Sequence, residues 1–304
     1  MTKKQAQPFL KWAGGKTQLL AQIESFFPKE LLMGSMTRYI EPFVGGGALF
    51  FKVANTYPIQ DFIISDINPE LILAYQTIQK EVEGLINHLW DKQKTYLALP
   101  GEERKNFFYQ VRTDYNQQRN QINFDLYTSN WIERTAQLIF LNRTCFNGLF
   151  RVNSKGEFNV PFGRYKKPRI CDADNLRQVA KILEQTAIHQ GDFTQCKAFV
   201  DQASFVYFDP PYRPISKTSS FNAYSKQSFN NSEQLRLRDF FHLLDQKGAK
   251  LLLSNSDPKN EDPTDDFFEN AYYPYRIERV EAARNINSNA SKRGKIKELV
   301  IINY

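Results

Sequence analysis

Residues 204–212 read Ser-Phe-Val-Tyr-Phe-Asp-Pro-Pro-Tyr, an apolar run that ends on an acid and two prolines. A short run without polar alternation is the pattern of a strand buried on both faces. Proline fixes φ, lacks an N–H and pushes the residue before it toward extended backbone. Pro210 and Pro211 can therefore neither prolong the strand nor open a helix easily, and the chain is held rigid there. That rigidity sets the carboxyl of Asp209, the carbonyl of Pro210 and the ring of Tyr212 at the carboxyl edge of a sheet. Ligands bind at this edge in open α/β folds.

Both ends of the chain read as parts of such a sheet. Arg38-Tyr39-Ile40 is a strand, Phe43 to Gly47 a glycine turn, and Ala48 to Ala54 the helix it opens. Phe62 to Ser65 is a second strand ending at Asp66. A helix start follows, with Asn68 as cap and Pro69 in the first position. From Leu71 to Asn142, stretches rich in Gln, Glu, Lys, Leu and Tyr read as helices, with no good strand among them. Arg143 to Arg169 is polar, aromatic and glycine-containing, the character of an exposed loop or hairpin. The α/β pattern returns from Leu176, with strands at Ser204 to Phe208 and Lys250 to Ser254. Ile277 to Val280 and Glu298 to Asn303 read as a late antiparallel pair. The simplest architecture is a discontinuous sheet domain, residues 1–79 and 168–304, interrupted by a mainly helical insertion at 80–167.

Composition narrows the class. The 304 residues are 41% hydrophobic and 24% charged, as in folded globular proteins, which excludes a disordered chain. No apolar run approaches the roughly 18 residues of a membrane span, and Gln5 to Trp12 lacks the apolar stretch of a signal peptide. A cytoplasmic protein is expected. Cys145, Cys171 and Cys196 form no CxxC pair, and His88, His189 and His242 are isolated, so no metal site is expected. The net charge of +7 suits a polyanionic partner without proving one. Positive charge concentrates in two loop-like segments, Arg164 to Arg169 and Lys292 to Lys297.

Three motifs carry chemistry. Asp209 and the Pro210 carbonyl can each accept an N–H of an exocyclic amine, so that its lone pair turns toward a methyl donor. Tyr212 can stack on a base. The second motif, Glu41-Pro42-Phe43-Val44-Gly45-Gly46-Gly47, follows a strand and opens a helix, letting backbone approach a ligand. Asp66, about 20 residues on, stands where an acid can bond ribose hydroxyls. A helix-start role remains open for it. Asp192 and Phe193, ahead of the Asp209 strand, can supply an acid and an aromatic edge to a cofactor's adenine, though a plain loop explains them equally well. The third motif, Phe9 to Thr17, has the Gly15-Lys16-Thr17 ending of a phosphate-binding loop, but the first glycine would fall on Leu10 and no strand precedes it. Trp12, Ala13, Gly14, Gly15 and Lys16 instead suit an aromatic and a charge around a cofactor's adenine and carboxylate.

The set FLKWAGGK (Phe9–Lys16), EPFVGGG (Glu41–Gly47), SDIN (Ser65–Asn68) and DPPY (Asp209–Tyr212) resembles the Dam-type, class alpha, DNA adenine-N6 methyltransferases. The likeness extends through Leu141 to Arg143, Phe146 to Leu149, Gly156 to Pro168 and Pro214 to Ser228, so it spans essentially the whole chain. It implies a class I, Rossmann-like methyltransferase sheet with an inserted, mainly helical target-recognition domain whose recognition loop is 143–167. It also implies S-adenosylmethionine as donor, S-adenosylhomocysteine as product, duplex DNA as substrate and base flipping. Cofactor or reacting-group contacts then fall on Trp12, Lys16, Asp66 with Ile67, and Asp209.

The resemblance implies DNA contacts as well. They fall on Lys11, Arg143, Phe146, Asn147, Leu149, Arg151, Pro161, Arg164, Tyr165, Lys166 and Lys167. Better-known members carry a tyrosine as the intercalating aromatic where this chain has Phe146, which keeps the stacking plane and loses the hydroxyl. Members with this loop mostly modify GATC. Arg151 can make a bidentate contact to guanine, and Leu149 and Pro161 can meet a thymine methyl; a phosphate contact is the other reading of Arg151. A monomer acting near the nucleoid, with a restriction endonuclease as functional partner, completes the expectation.

Overall fold

In the strand at 204–208, Phe205 and Tyr207 enter the core on one sheet face, and Val206 and Phe208 enter the core on the other. The two-residue period of a pleat requires this division. The structure, a computed structural model, describes residues 4–213, 229–283 and 295–304. Its strands are β1 Arg38–Glu41, β2 Asp61–Asp66, β3 Thr186–Gln190, β4 Ser204–Phe208, β5 Lys250–Ser256, β6 Arg276–Ala283 and β7 Lys295–Ile302. Its helices are α1 Leu20–Glu24, α2 Lys29–Leu32, α3 Ala48–Thr56, α4 Pro69–Ala98, α5 Gly101–Gln118, α6 Asn130–Thr144, α7 Ala173–Leu183, α8 Asn231–Asp245 and α9 Phe267–Ala271.

The strands form one seven-stranded sheet in the order 3-2-1-4-5-7-6. β1 pairs in parallel with β2 and β4, β2 with β3, and β4 with β5. β7 lies antiparallel between β5 and β6, as expected for the two late strands. This is the mixed α/β arrangement of a class I methyltransferase-like fold. The strand order reverses between β1 and β4, and the carboxyl ends of both strands open on that crevice.

The start of α4 follows the expected chemistry. Asn68 Oδ1 accepts the N–H groups of Glu70 at 3.1 Å and Leu71 at 3.4 Å, and Pro69 takes the first turn. The helix breaks at Glu81 (φ −141°, ψ 45°), beside the expected start of the insertion at residue 80. Beyond it the chain is helical through α5 and α6, and one continuous apolar core joins these helices to the sheet. Arg134 of α6 ties them to α4: its Nε and Nη2 reach Glu70 at 2.9 and 2.5 Å. Its guanidinium lies over the Tyr115 ring of α5, 3.5 Å from the centroid. Removing one partner of so buried a pair costs about 3–5 kcal/mol.

Segment 214–228 and residues 292–294 of the basic run lie outside the described residues. Among the described residues, no helix is long and apolar enough to cross a membrane. The three cysteines are buried and unpaired.

Candidate active site

The glycine turn after β1 is shaped by what lies against it. Gly45 (φ +48°) and Gly47 (φ +71°) hold left-handed backbone. A Cβ on Gly45 would sit 2.9 Å from Trp12 Cδ1, and one on Gly47 would sit 2.6 Å from the Tyr75 hydroxyl. Glycine is thus what lets Trp12 lie on the turn, with Gly46 also facing it. The loop carrying Trp12, Ala13, Gly14 and Gly15 closes by Gly15 N–H donating to Trp12 O at 3.2 Å.

Asp66, at the end of β2, accepts the Gly45 N–H at 3.1 Å and the Asn68 N–H at 2.9 Å. It therefore joins the ends of β1 and β2. Burial raises its carboxyl above the ordinary value, and these N–H groups oppose the rise. Ile67 beside it is 52% exposed, an apolar side chain presented at the same edge. Glu41 is buried next to Pro42 and accepts the Tyr39 hydroxyl at 2.5 Å. Its carboxyl is pushed well above the carboxylate range by burial, against the Tyr39 bond.

Lys16 is the meeting point with the Asp-Pro-Pro-Tyr turn. It is 4% exposed, and its Nζ lies 2.9 Å from Asp209 Oδ1 and 3.2 Å from Glu298 Oε2. It also donates to the Tyr212 hydroxyl. Ser254 Oγ donates to the same Asp209 oxygen at 3.1 Å. Burial raises the Asp209 carboxyl above its ordinary value, Lys16 pulls it down, and the Glu298 charge pushes it up. Behind the turn, Gln234 Nε2 donates to Pro211 O at 3.1 Å and its Oε1 accepts from Asn255 at 3.2 Å. Pro210 is buried and Pro211 exposed.

Asp192 and Phe193 sit differently from a free cofactor edge. Arg236 grips Asp192 at 2.9 and 2.7 Å and holds its carboxyl down to about 2, with Thr194 adding two further bonds. Phe193 is 3% exposed, packed 5.3 Å from Phe43. Phe193 touches the glycine turn by way of Phe43.

The expected DNA-contacting residues spread over a neighbouring loop. Lys11, Phe146, Asn147, Arg151, Pro161, Arg164, Lys166 and Lys167 are exposed, and Leu149 and Tyr165 are half-buried. Asn147 and Arg164 hold positive φ (+58° and +55°), a conformation uncommon for such residues. Arg151 Nε donates to Asn159 Oδ1 at 2.8 Å, which fixes the guanidinium's direction. Arg143 turns inward: its Nη2 donates to Phe9 O at 2.8 Å, and its Nε is buried without a partner among the described residues.

Sequence reading missed four contributors: Glu298, Ser254, Asn142 and Tyr75. Glu298 carries the plainest signal, a lone acid directly ahead of the apolar run Leu299 to Ile302. Tyr75, whose hydroxyl donates to Gly45 O at 3.1 Å, looks like any helical core residue.

Comparison with known proteins gives the family. Residues 12–286 match the D12 class N6 adenine-specific DNA methyltransferases. The chain is 49% identical over 301 residues to the type II methyltransferase M.MjaIII of Methanocaldococcus jannaschii, covering 99% of this chain and 100% of that one. It is 37% identical to the type II methyltransferase M1.LlaDCHI of Lactococcus lactis, covering 98% and 95% of the two chains. It is 32% identical to the DNA adenine methylase of Escherichia coli K12, covering 98% and 96%. The chain belongs to the D12 class N6 adenine-specific DNA methyltransferase family, and is therefore an enzyme that methylates adenine in DNA.

Proposed function

We propose that this enzyme methylates an adenine swung out of duplex DNA, with Asp209 and the Pro210 carbonyl accepting the two N–H groups of its amine. The observation that carries this reading is the Asp209 turn lying against Lys16 at the sheet edge that also holds Asp66 and Gly45. The adenine amine is a poor nucleophile, because its lone pair is delocalised into the ring. Acceptors on both N–H groups favour a pyramidal nitrogen and stabilise its developing positive charge more than the neutral amine. On gaining the methyl group the nitrogen would shed its surplus proton to solvent, with Asp209 and the Pro210 carbonyl holding it until then. Tyr212 stacks on the base.

S-adenosylmethionine, the methyl donor that the family implies, supplies a sulfonium-activated methyl group. The residues present fit it: a glycine turn that a Cβ would fill, an acid at the end of β2 and the exposed Ile67 beside it. Trp12 to Lys16, Glu41 to Gly47, and Asp66 with Ile67 would hold it. Asp192 and Phe193 would border the pocket through Phe43.

Residues 80–167 would form the target-recognition part. Phe146, 53% exposed, would be the wedge that holds the flipped base's gap. Arg151 would read guanine, Leu149 and Pro161 a thymine methyl, and Lys11, Asn147, Arg164, Tyr165, Lys166 and Lys167 the surrounding duplex. Arg143 would act on DNA through the loop it anchors. The target would be GATC, met by a monomer in the cytoplasm. Two relatives named as type II methyltransferases support a restriction endonuclease as functional partner.

The test uses purified protein, radiolabelled S-adenosylmethionine and two duplexes that differ only in a GATC or its scramble. Label confined to the GATC duplex and recovered as N6-methyladenine is expected. Equal label in both duplexes would remove the GATC assignment.

A further inference from the structure

The Asp209 turn is held from the antiparallel side of the sheet by Glu298 on β7. This residue is 8% exposed and stands opposite Ser256 of β5, at the head of the run Leu299-Val300-Ile301-Ile302. A carboxylate in such a strand is unfavourable unless its oxygens are paired. Its partners both belong to the candidate site. Oε2 accepts the Tyr212 hydroxyl at 2.6 Å and lies 3.2 Å from Lys16 Nζ. Lys16 Nζ also lies 4.3 Å from the Tyr212 ring centroid. The shortest approach of Lys16 to Asp209 and the Ser254 hydrogen bond both fall on Oδ1.

We infer that Glu298 is a positioning residue for methyl transfer: it anchors Lys16 and Tyr212 together, so that Lys16 and Ser254 hold Oδ1 of Asp209 and leave Oδ2 for the incoming amine. This rests on the reading of Asp209 as acceptor. The arrangement has an electrostatic consequence as well. One lysine charge shared between two carboxylates leaves net negative charge beside a nitrogen that becomes positive during transfer. Without Glu298, Lys16 would act on Asp209 alone and weaken it as an acceptor. The hydroxyl of Tyr212 would also lose the bond that fixes its ring plane.

Glu298→Gln keeps the size of the side chain and an acceptor for Tyr212, and removes the charge that holds Lys16. At saturating S-adenosylmethionine and duplex, its single-turnover rate should fall about ten- to a hundredfold. Its Kd values for S-adenosylhomocysteine and for duplex should stay within about threefold of wild type. Glu298→Asp, which keeps the charge with a shorter reach, should recover part of the rate, and carries the comparison if the Gln variant does not fold. Wild-type transfer by Glu298→Gln, counted per active site, would overturn the inference. So would a lower active fraction at unchanged rate per site, which marks a folding role only. A raised Kd for S-adenosylhomocysteine with the saturated rate intact would make Glu298 a cofactor contact and overturn it equally. Asp209→Ala, run in parallel, separates the levels: if that variant, which has no side-chain acceptor, still transfers at the wild-type rate, the acceptor reading itself fails.

Discussion

One carboxamide, that of Asn142, takes both backbone polar groups of Lys11. Its Oδ1 accepts the Lys11 N–H at 2.9 Å, and its Nδ2 donates to Lys11 O and to Gly148 O, each at 2.9 Å. Asn142 is fully buried at the end of α6. It therefore hangs the Trp12–Lys16 loop and the exposed Phe146 loop from a single side chain. Trp12 adds a second link by stacking on Phe150 at 5.3 Å.

Replacing Asn142 with Ala leaves those three backbone groups without their partner. A loss of about 2–4 kcal/mol of unfolding free energy is expected, since unsatisfied buried groups carry their full desolvation penalty. Denaturant unfolding of the variant measures it. A change below about 0.5 kcal/mol would mean that the clamp adds nothing net.

Gly45→Ala puts a Cβ 2.9 Å from Trp12 Cδ1 at a residue with φ of +48°. Trp12 must move, and the backbone is strained whatever the space. Calorimetric titration should show at least about tenfold weaker binding of S-adenosylhomocysteine, equivalent to about 1.4 kcal/mol. Retained affinity would place the cofactor away from this turn.

If Asp209 accepts the amine as proposed, the acid side of the transfer rate depends on it. Its ionised form is the stronger acceptor of an N–H, and burial lifts its pKa above the ordinary value while Lys16 lowers it. The single-turnover rate should therefore fall with decreasing pH earlier than an ordinary carboxylate predicts. Lys16→Met removes the lowering influence, so the acid limb should move to higher pH. A limb that stays in place when Lys16 is removed would break this link.

Phe146→Ala removes the exposed ring from the loop that follows α6. Duplex affinity should weaken, and the fluorescence rise of 2-aminopurine at the target position should shrink. An unchanged signal would assign the wedge to another residue.

Much of the sheet was legible because its strands are buried runs with sharp ends: Phe205 to Phe208 stops on prolines, and Phe62 to Ser65 on Asp66. The strand Thr186–Gln190 was not legible. It is an edge strand with only Ala187 and Ile188 as apolar residues, and so lacks the burial that writes a pattern into sequence. Motif chemistry placed Lys16 and Asp209 in one region, while Glu298, which shares Lys16 with Asp209, is brought to them only by the sheet. The inward turn of Arg143 was hidden for a similar reason. A basic residue before an exposed loop reads as a DNA contact, and its carbonyl partner, Phe9, lies 134 residues away in sequence.

The most direct measurement is the single-turnover transfer rate of Asp209→Ala with unmethylated GATC duplex, alongside its affinities for S-adenosylhomocysteine and DNA. The account predicts that methyl transfer is abolished while much of both affinities survives, because the carboxylate acts on the amine during transfer. Turnover near that of the wild type would contradict it.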